Sequence, residues 1–244
     1  MKNEPWLAID TATEVASVAV GSPEHTAAAR SIRGARQHAA QIVPLIREVL
    51  ALAKVPLGQI AGIIVGDGPG SFTGLRIGWA AAKGLAHERE LPLIAIPSLL
   101  GFAHAAAGED ARRGRPIAAC FDALRGQVFA AIYAFSANRV ETLVAPELFT
   151  VAALARVTPV RPLLAVGDGA ARYHDEIVSW IGRSPVPLET LSPVAGSLLA
   201  LFSYHGARRA IDDPRVAEPV YGRPAEAQAK WEARYGRPLP HSSR

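Results

Sequence analysis

The chain has 244 residues, of which half are hydrophobic and 20% charged, with a net charge of +4 and a single cysteine. That balance belongs to a globular polypeptide able to bury a sizeable core, in one large domain or two of roughly 100 to 120 residues. It excludes a disordered chain and a disulfide-stapled one, and apolar runs such as Leu93 to Ile96, bounded by Pro92 and Pro97, are too short for a membrane-spanning helix.

Read in chain order, Trp6 to Ile9, Val15 to Val20 and Thr26 to Ile32 predict three strands in an antiparallel meander, the first two joined by the polar turn Asp10 to Glu14. Apolar residues at 42, 45/46, 49/50 and 53 then set a helical period over Gln37 to Lys54, with Pro44 expected to kink or delay the helix. Strand Ile60 to Val65 follows, then a glycine turn, helix Thr73 to His87, strand Leu93 to Ile96 and helix Ser98 to Ala107. The predicted order is βββαβαβα.

A second copy starts at Pro116. PIAACFDALRGQVFAAIYAF aligns with WLAIDTATEVASVAV, setting Asp122 against Asp10, and the tetrapeptide VGDG of Val65 to Gly68 recurs at Val166 to Gly169. Between the copies, Ala105 to Arg115 is small, charged and suited to a linker; helices are expected at Ala170 to Trp180 and Ala195 to Arg209, before a Pro/Arg-rich tail. The resulting expectation is an α/β protein of two related lobes: residues 1–107 with the glycine turn, 108–210 as the second lobe, and 211–244 as the tail.

The segment VGDGPGSFTGLRIG, Val65 to Gly78, runs from an apolar strand through a Gly/Pro/Ser turn into a small-residue helix. Such a turn lets backbone approach a phosphate, and Asp10 at a strand end, followed by Thr11 and Thr13, could face a nucleotide's metal. A degenerate nucleotide cleft would use Asp10, Gly68, Gly70 and Ser71. The spacing, however, matches neither a Walker loop nor a dinucleotide fingerprint, and the alternative is a tight turn whose glycines only let a helix pack closely, with Asp10 in an Asx turn. In the second copy ALRG replaces the hydroxyl-rich turn, so one half only is equipped for ATP chemistry.

The seven histidines lack metal-ligand spacing, no G-x-S-x-G elbow is present, and Cys120 in the run Ile117 to Phe121 reads as a buried thiol in a reducing cytoplasm. No catalytic residue and no metal site is therefore assigned. The basic excess is almost all arginine and reads as solvated surface, with Arg112, Arg113, Arg115 and the tail from Arg208 as an accessory surface for nucleic acid. On helix 73 to 87, Gly74 and Gly78 make one face flat enough to invite another helix, while Trp79, Lys83 and Ala86 are expected on the outward face, Trp79 as an anchor for a partner; the alternative is that helices 37 to 54 and 98 to 107 cover both faces within the lobe.

LAIDTATEVASVAV, RQHAAQIVPLIREVL, GIIVGDGPGSFTGLRIGWAAAKGLA and EPVYGRPAEAQAKW together resemble the bacterial TsaB (YeaZ) family of tRNA threonylcarbamoyladenosine biosynthesis proteins, filed with glycoprotease-like peptidase M22 proteins. The resemblance covers the first 100 residues and Pro219 to Trp231. It implies an actin-like ATPase fold (acetate/sugar kinase, Hsp70, actin), a cytoplasmic location and no membrane association. It further implies a non-catalytic subunit that docks on a TsaD-like catalytic subunit, works with a TsaE-like ATPase, meets tRNA through the complex and self-associates as a homodimer when the partner is missing. ATP and Mg would enter through the complex, with no cofactor in this chain. In the catalytic relative a histidine pair in an N-H-x-x-x-H-type segment binds metal; in IAIPSLLGFAHA those positions carry Ser98 and Phe102. By the same resemblance the docking face would hold His38, Pro44, Leu45, Leu75, Gly78, Trp79, Ala82 and Lys83. No role follows for Tyr221 and Arg223. The reading from a different class is a small-molecule kinase or ATPase using Asp10, the 68 to 71 turn and Asp122.

Overall fold

In a computed structural model, which describes residues 4–34, 37–107, 114–223 and 234–235, two sheets face each other across a pair of helices. The first sheet is built on β1 (Trp6–Asp10), β2 (Val15–Gly21) and β3 (Thr26–Arg33), an antiparallel meander extended by β4 (Gly62–Gly66) and β5 (Leu93–Ile96) running parallel to β1. β1 and β4 are buried along their whole length, as strands covered on both faces must be, whereas the edge strand β3 is largely exposed and carries two arginines.

Alternation along these strands divides the core. Leu7, Ile9, Ile63 and Val65 meet α1 (His38–Ala53) and α2 (Phe72–Glu88), through Ile42, Leu45, Ile46, Val49 and Trp79. Each fully buried aliphatic in this set contributes about 1.5–3 kcal/mol. That is why α1 runs unbroken through Pro44, where the sequence led us to expect a kink or delay: its buried stripe of Ile42, Leu45, Ile46 and Val49 outweighs the one hydrogen bond a proline removes. The alternate residues Trp6, Ala8, Ile64, Ile94 and Ile96 turn to the other face, against α3 (Ser98–Ala106). The expected βββαβαβα order of the first lobe is present in full.

The second sheet, β8-β7-β6-β9, is made of β6 (Ile117–Asp122), β7 (Val128–Ser136), β8 (Arg139–Phe149) and β9 (Leu164–Val166), with α4 (Val151–Val157), α5 (Asp168–Arg172) and α6 (His174–Ile181) outside it. β6 and β9 are parallel, as are β1 and β4, so both VGDG repeats leave the C-terminal end of a parallel strand beside a strand-end aspartate. The inner face, with Ile117, Phe121, Phe129, Tyr133 and Phe135, joins the core of α3 and of α7 (Val194–Leu201).

The second copy is incomplete. Among the described residues it has no strand equivalent to β5; the chain instead returns to the first sheet, where α7 packs on β1 and β2 and β10 (Arg209–Ile211) pairs antiparallel with β5. Residues 194–210, expected with the second lobe, and Ile211, expected in the tail, thus pack with the first. The single helix expected over 195–209 stops at Leu201, the chain turning through Gly206 at φ +82° before β10. The helix expected over 170–180 is two short ones, α5 and α6, meeting at Tyr173 (φ −100°, ψ 43°). Ala105 and Ala106 of the expected linker lie in α3, and 108–113, with Arg112 and Arg113, fall outside the described residues.

Candidate functional site

The parallel pairing of β1 with β4 sets the end of one beside the end of the other, so Asp10 and Gly66 lie next to each other. Asp10 is 1% exposed. Its Oδ2 accepts a 2.6 Å hydrogen bond from the Ser98 hydroxyl and its Oδ1 accepts from the Ala12 N–H at 3.2 Å; Ser98 Oγ in turn accepts the N–H of Gly68 at 3.2 Å. A Cβ on Gly66 would overlap Asp10 Oδ2 and Ser98 Oγ, so glycine here leaves just the room the carboxyl fills. Burial pushes the Asp10 carboxyl above the ordinary carboxylate range, and the Ser98 and Ala12 bonds and the charge of nearby His38 offset this only in part. The bond to Ala12, two residues on, is the Asx geometry anticipated for this position.

The small-residue face of α2 has a different task from the one expected. Cβ atoms on Gly70, Gly74 and Gly78 would overlap Ala12 O, Thr11 O and Thr11 Oγ1 respectively, so the stripe packs on the β1–β2 turn rather than receiving a partner helix. Thr11 Oγ1 donates to Gly74 O at 2.7 Å, Ser71 N–H to Ala12 O at 2.7 Å, and the Ser71 hydroxyl caps α2 by accepting Gly74 N–H at 3.2 Å. Ser71 therefore holds the helix end, and its oxygen is already engaged.

Most of the expected docking residues are core. Leu75 and Ala82 are fully buried, Trp79 is 2% exposed with its indole N–H donating to Gly66 O at 3.2 Å, and Leu45, Gly78 and His38 are buried too. Trp79 is not an outward anchor; a face bearing an indole that large was bound to turn toward the sheet. His38 lies under the β1–β2 turn, its Nε2–H donating to Glu14 O at 3.1 Å. Of the expected set, Pro44 is on the surface, and Lys83 is partly so, spanning to the C-terminal segment.

That segment was missed by sequence reasoning, which left Tyr221 and Arg223 without a role. Residues 212–223 cross the glycine turn as a strap. Lys83 Nζ donates to the carbonyls of Ala217 (2.8 Å) and Arg215 (3.3 Å), and Val220 N–H donates to Asp67 O at 2.9 Å. The Tyr221 hydroxyl donates to Glu218 at 2.9 Å and accepts from Arg76 Nε at 3.2 Å, its ring lying 4.6 Å from that of Phe72. Gly222, at φ +76°, passes between Pro69 and Phe129, and Arg223 Nη1 donates to Ala123 O at 2.8 Å in the second lobe. Under the strap, Asp67 takes both oxygens to Arg209 Nη2, at 2.7 and 3.0 Å. Burial nonetheless raises the Asp67 carboxyl above its ordinary value, a shift that Arg209 reduces without reversing. The available signal was the Gly222 position in YGRP, where only a residue tolerant of positive φ could thread the gap.

The mirrored half is also internally satisfied. Asp122 Oδ1 accepts Leu124 N–H (2.9 Å) and the Tyr173 hydroxyl (3.3 Å), Oδ2 lies 3.2 Å from Arg172, and Asp168 Oδ1 accepts the N–H groups of Asp122 and Gly169. A cleft of about 290 Å³ remains between the lobes, lined by Thr13, Arg33, Phe102, Asp168 and Glu189 among others. Ser98, at the other position taken by a histidine in the catalytic relative, is fully buried against Asp10. Among the described residues no group of three or more His, Cys, Asp or Glu side chains could hold a metal.

This geometry does not fit the phosphates or metal of a nucleotide at the glycine turn. The Asp10 oxygens are enclosed, Gly68 lies against Val220 O while residues 212–223 are seated, and the Ser71 hydroxyl is committed to its own helix. The kinase reading built on Asp10, Gly68, Gly70, Ser71 and Asp122 loses its residues to internal contacts.

Together these features describe a two-lobed α/β protein whose strand-end carboxylates are internal joints. The family model described as TsaD, tRNA N6-adenosine threonylcarbamoyltransferase, matches residues 32–176, and the chain belongs to that family, on its TsaB/YeaZ side. It is 36% identical over 148 residues to the tRNA threonylcarbamoyladenosine biosynthesis protein TsaB of Escherichia coli K12, an alignment covering 58% of this chain and 63% of that protein's length. The TsaB of Bacillus subtilis 168 is 27% identical over 237 residues, covering 92% of this chain and 96% of the relative. The solved structure of YeaZ from Pseudomonas aeruginosa superposes with a TM-score of 0.69 at 27% identity, over 91% of this chain and all of that one.

Proposed function

We propose that this chain is a non-catalytic subunit in the formation of N6-threonylcarbamoyladenosine at position 37 of tRNA, holding a TsaD-like catalytic subunit in its active conformation. The observation that carries the reading is the enclosure of Asp10: the carboxylate that would serve a metal or phosphate in an active relative accepts instead from Ser98 and Ala12 behind Gly66. The names of the similar proteins supply the pathway.

Docking uses the outer surface of α1 and α2, which pack side by side. There Ala39, Ala40, Val43, Pro44, Ala51 and Leu52 on α1 and Thr73, Ala80 and Gly84 on α2 are exposed, Val43 and Leu52 to about half their area. Small side chains on two adjacent helices allow a partner's helices to approach closely, and the exposed aliphatics offer area to bury. A TsaE-like ATPase and tRNA engage the assembly rather than this chain's cleft, and ATP with Mg enters there too.

Reconstitution tests this. The chain alone should form no threonylcarbamoyladenosine, whereas adding TsaD-like and TsaE-like proteins, ATP, tRNA and a preactivated threonylcarbamoyl donor (the threonylcarbamoyl adenylate, which releases AMP on transfer) should give product that depends on it. Val43→Asp and Ala80→Asp should abolish co-elution with the catalytic subunit in size-exclusion chromatography. Co-elution unchanged by both substitutions refutes the assigned face, and product formation without this chain refutes the subunit role.

A further inference from the structure

We infer that residues 212–223 are a releasable clasp, a strap that bridges the two lobes over the glycine turn and opens as a unit while both lobes stay folded.

The strap joins the lobes across the glycine turn. On the first lobe it is held by Lys83 Nζ to the carbonyls of Arg215 and Ala217, by Val220 N–H to Asp67 O, and by the Phe72, Arg76 and Tyr221 cluster. On the second it is held by Arg223 to Ala123 O, with the Arg223 guanidinium 5.7 Å from the centre of the Phe129 ring. Gly222 marks the crossing, wedged between Pro69 of one lobe and Phe129 of the other.

Its attachment differs in kind from that of the lobes. The sheets and α3 and α7 share one buried apolar core, which holds the lobes together whether or not the strap is seated. Of the strap's apolar residues, Val216 and Val220 stay largely in solvent, at 76% and 50% exposure, Ala217 and Tyr221 only edge the cores and Pro219 is buried, and the strap forms no strand with either sheet. Its bonds are mostly single side-chain contacts at the surface, each worth little alone and lost together when the segment lifts. Segments with exposed backbone bonds and few buried contacts open at lower free energy than the core beneath them. Seated, the strap covers Gly68 and occupies Arg76 and Lys83; lifted, it bares the glycine turn and frees those two side chains on α2. On the reading given under Proposed function, the state of the clasp would be sensed at the docking face of the same helix.

Hydrogen exchange followed by mass spectrometry on the full chain, without any partner, tests the clasp independently of docking. The Val220 amide should exchange about tenfold faster or more than amides of β4, by an opening that is insensitive to denaturant. Tyr221→Ala with Arg223→Ala should speed strap exchange by about a further tenfold and raise exchange at residues 67–71, leaving β1, β4 and β6 unchanged. Lys83→Met, which removes a different attachment, should act in the same direction. If the Val220 and β4 amides instead share one protection factor and one denaturant slope, the strap opens only with global unfolding and the proposal fails; it fails equally if the double variant exchanges like the parent.

Discussion

Asp10 and Ser98, 88 residues apart, are joined by a 2.6 Å hydrogen bond that closes the end of the first sheet. The strand end that in a phosphate-handling protein would face outward is here an internal joint between β1, the glycine turn and α3.

The joint has a pH signature. Burial raises the Asp10 carboxyl in the folded chain, so the folded state holds its proton more tightly than the unfolded one. The resulting stabilisation is complete below the unfolded value, near 3.8, and is lost as pH rises through the raised folded value. Asp10→Asn does not titrate. Its stability relative to the parent should therefore improve as pH rises above about 4, by about 1.4 kcal/mol for each pKa unit separating the two states, and level off once the folded carboxyl has ionised. Urea denaturation of both proteins across that range is the measurement; a difference constant with pH would contradict the assignment.

Gly66 should tolerate no side chain. A Cβ there overlaps Asp10 Oδ2 and Ser98 Oγ, and β1 and β4 leave no slack to retreat into. We expect Gly66→Ala to cost about 1–3 kcal/mol, the usual penalty for overpacking, read as a lower denaturation midpoint at unchanged m-value. Gly84, where an added Cβ would meet nothing within 4 Å, is the control on α2: Gly84→Ala should stabilise by about 0.5–1 kcal/mol.

Trp79 and Val43 separate core from docking surface. Trp79→Ala removes an indole that is 2% exposed and bonded to Gly66 O, and should cost about 3–5 kcal/mol by calorimetry. Val43→Asp, at a position 51% exposed, should stay within about 0.5 kcal/mol of the parent. A loss of partner binding in the second variant can then be read as surface chemistry.

Cys120 should be silent to thiol reagents in the native protein. It is fully buried on β6, and burial pushes its thiol up to about 12, with the Asp168 charge adding to the effect, so scarcely any thiolate exists at neutral pH. Absorbance titration with a disulfide reagent should show no reaction until denaturant is added, and then one equivalent.

The three-stranded meander, α1, β4, α2, β5 and α3 were legible in the chain because each carries a local apolar period long enough to name it. The repeat of VGDG was legible too, and its two copies do occupy equivalent parallel-strand ends. Burial was read less well at Trp79 and Leu75: an amphipathic pattern shows that a helix has two faces without naming the one that meets the sheet. Gly74 and Gly78 announced a close approach, but the approaching backbone, Thr11, comes from more than 60 positions earlier in the chain.

Periodicity and strings of neighbouring residues were thus enough to specify the elements of the first lobe, the two-lobed plan and the family. Contacts between distant positions supplied the rest. The return of α7 and β10 to the first sheet, the enclosure of Asp10 by Gly66 and Ser98, and the passage of Gly222 between Pro69 and Phe129 all join residues remote in the chain. Such contacts form because packing leaves one space of the right size and polarity, a property no local run of residues encodes.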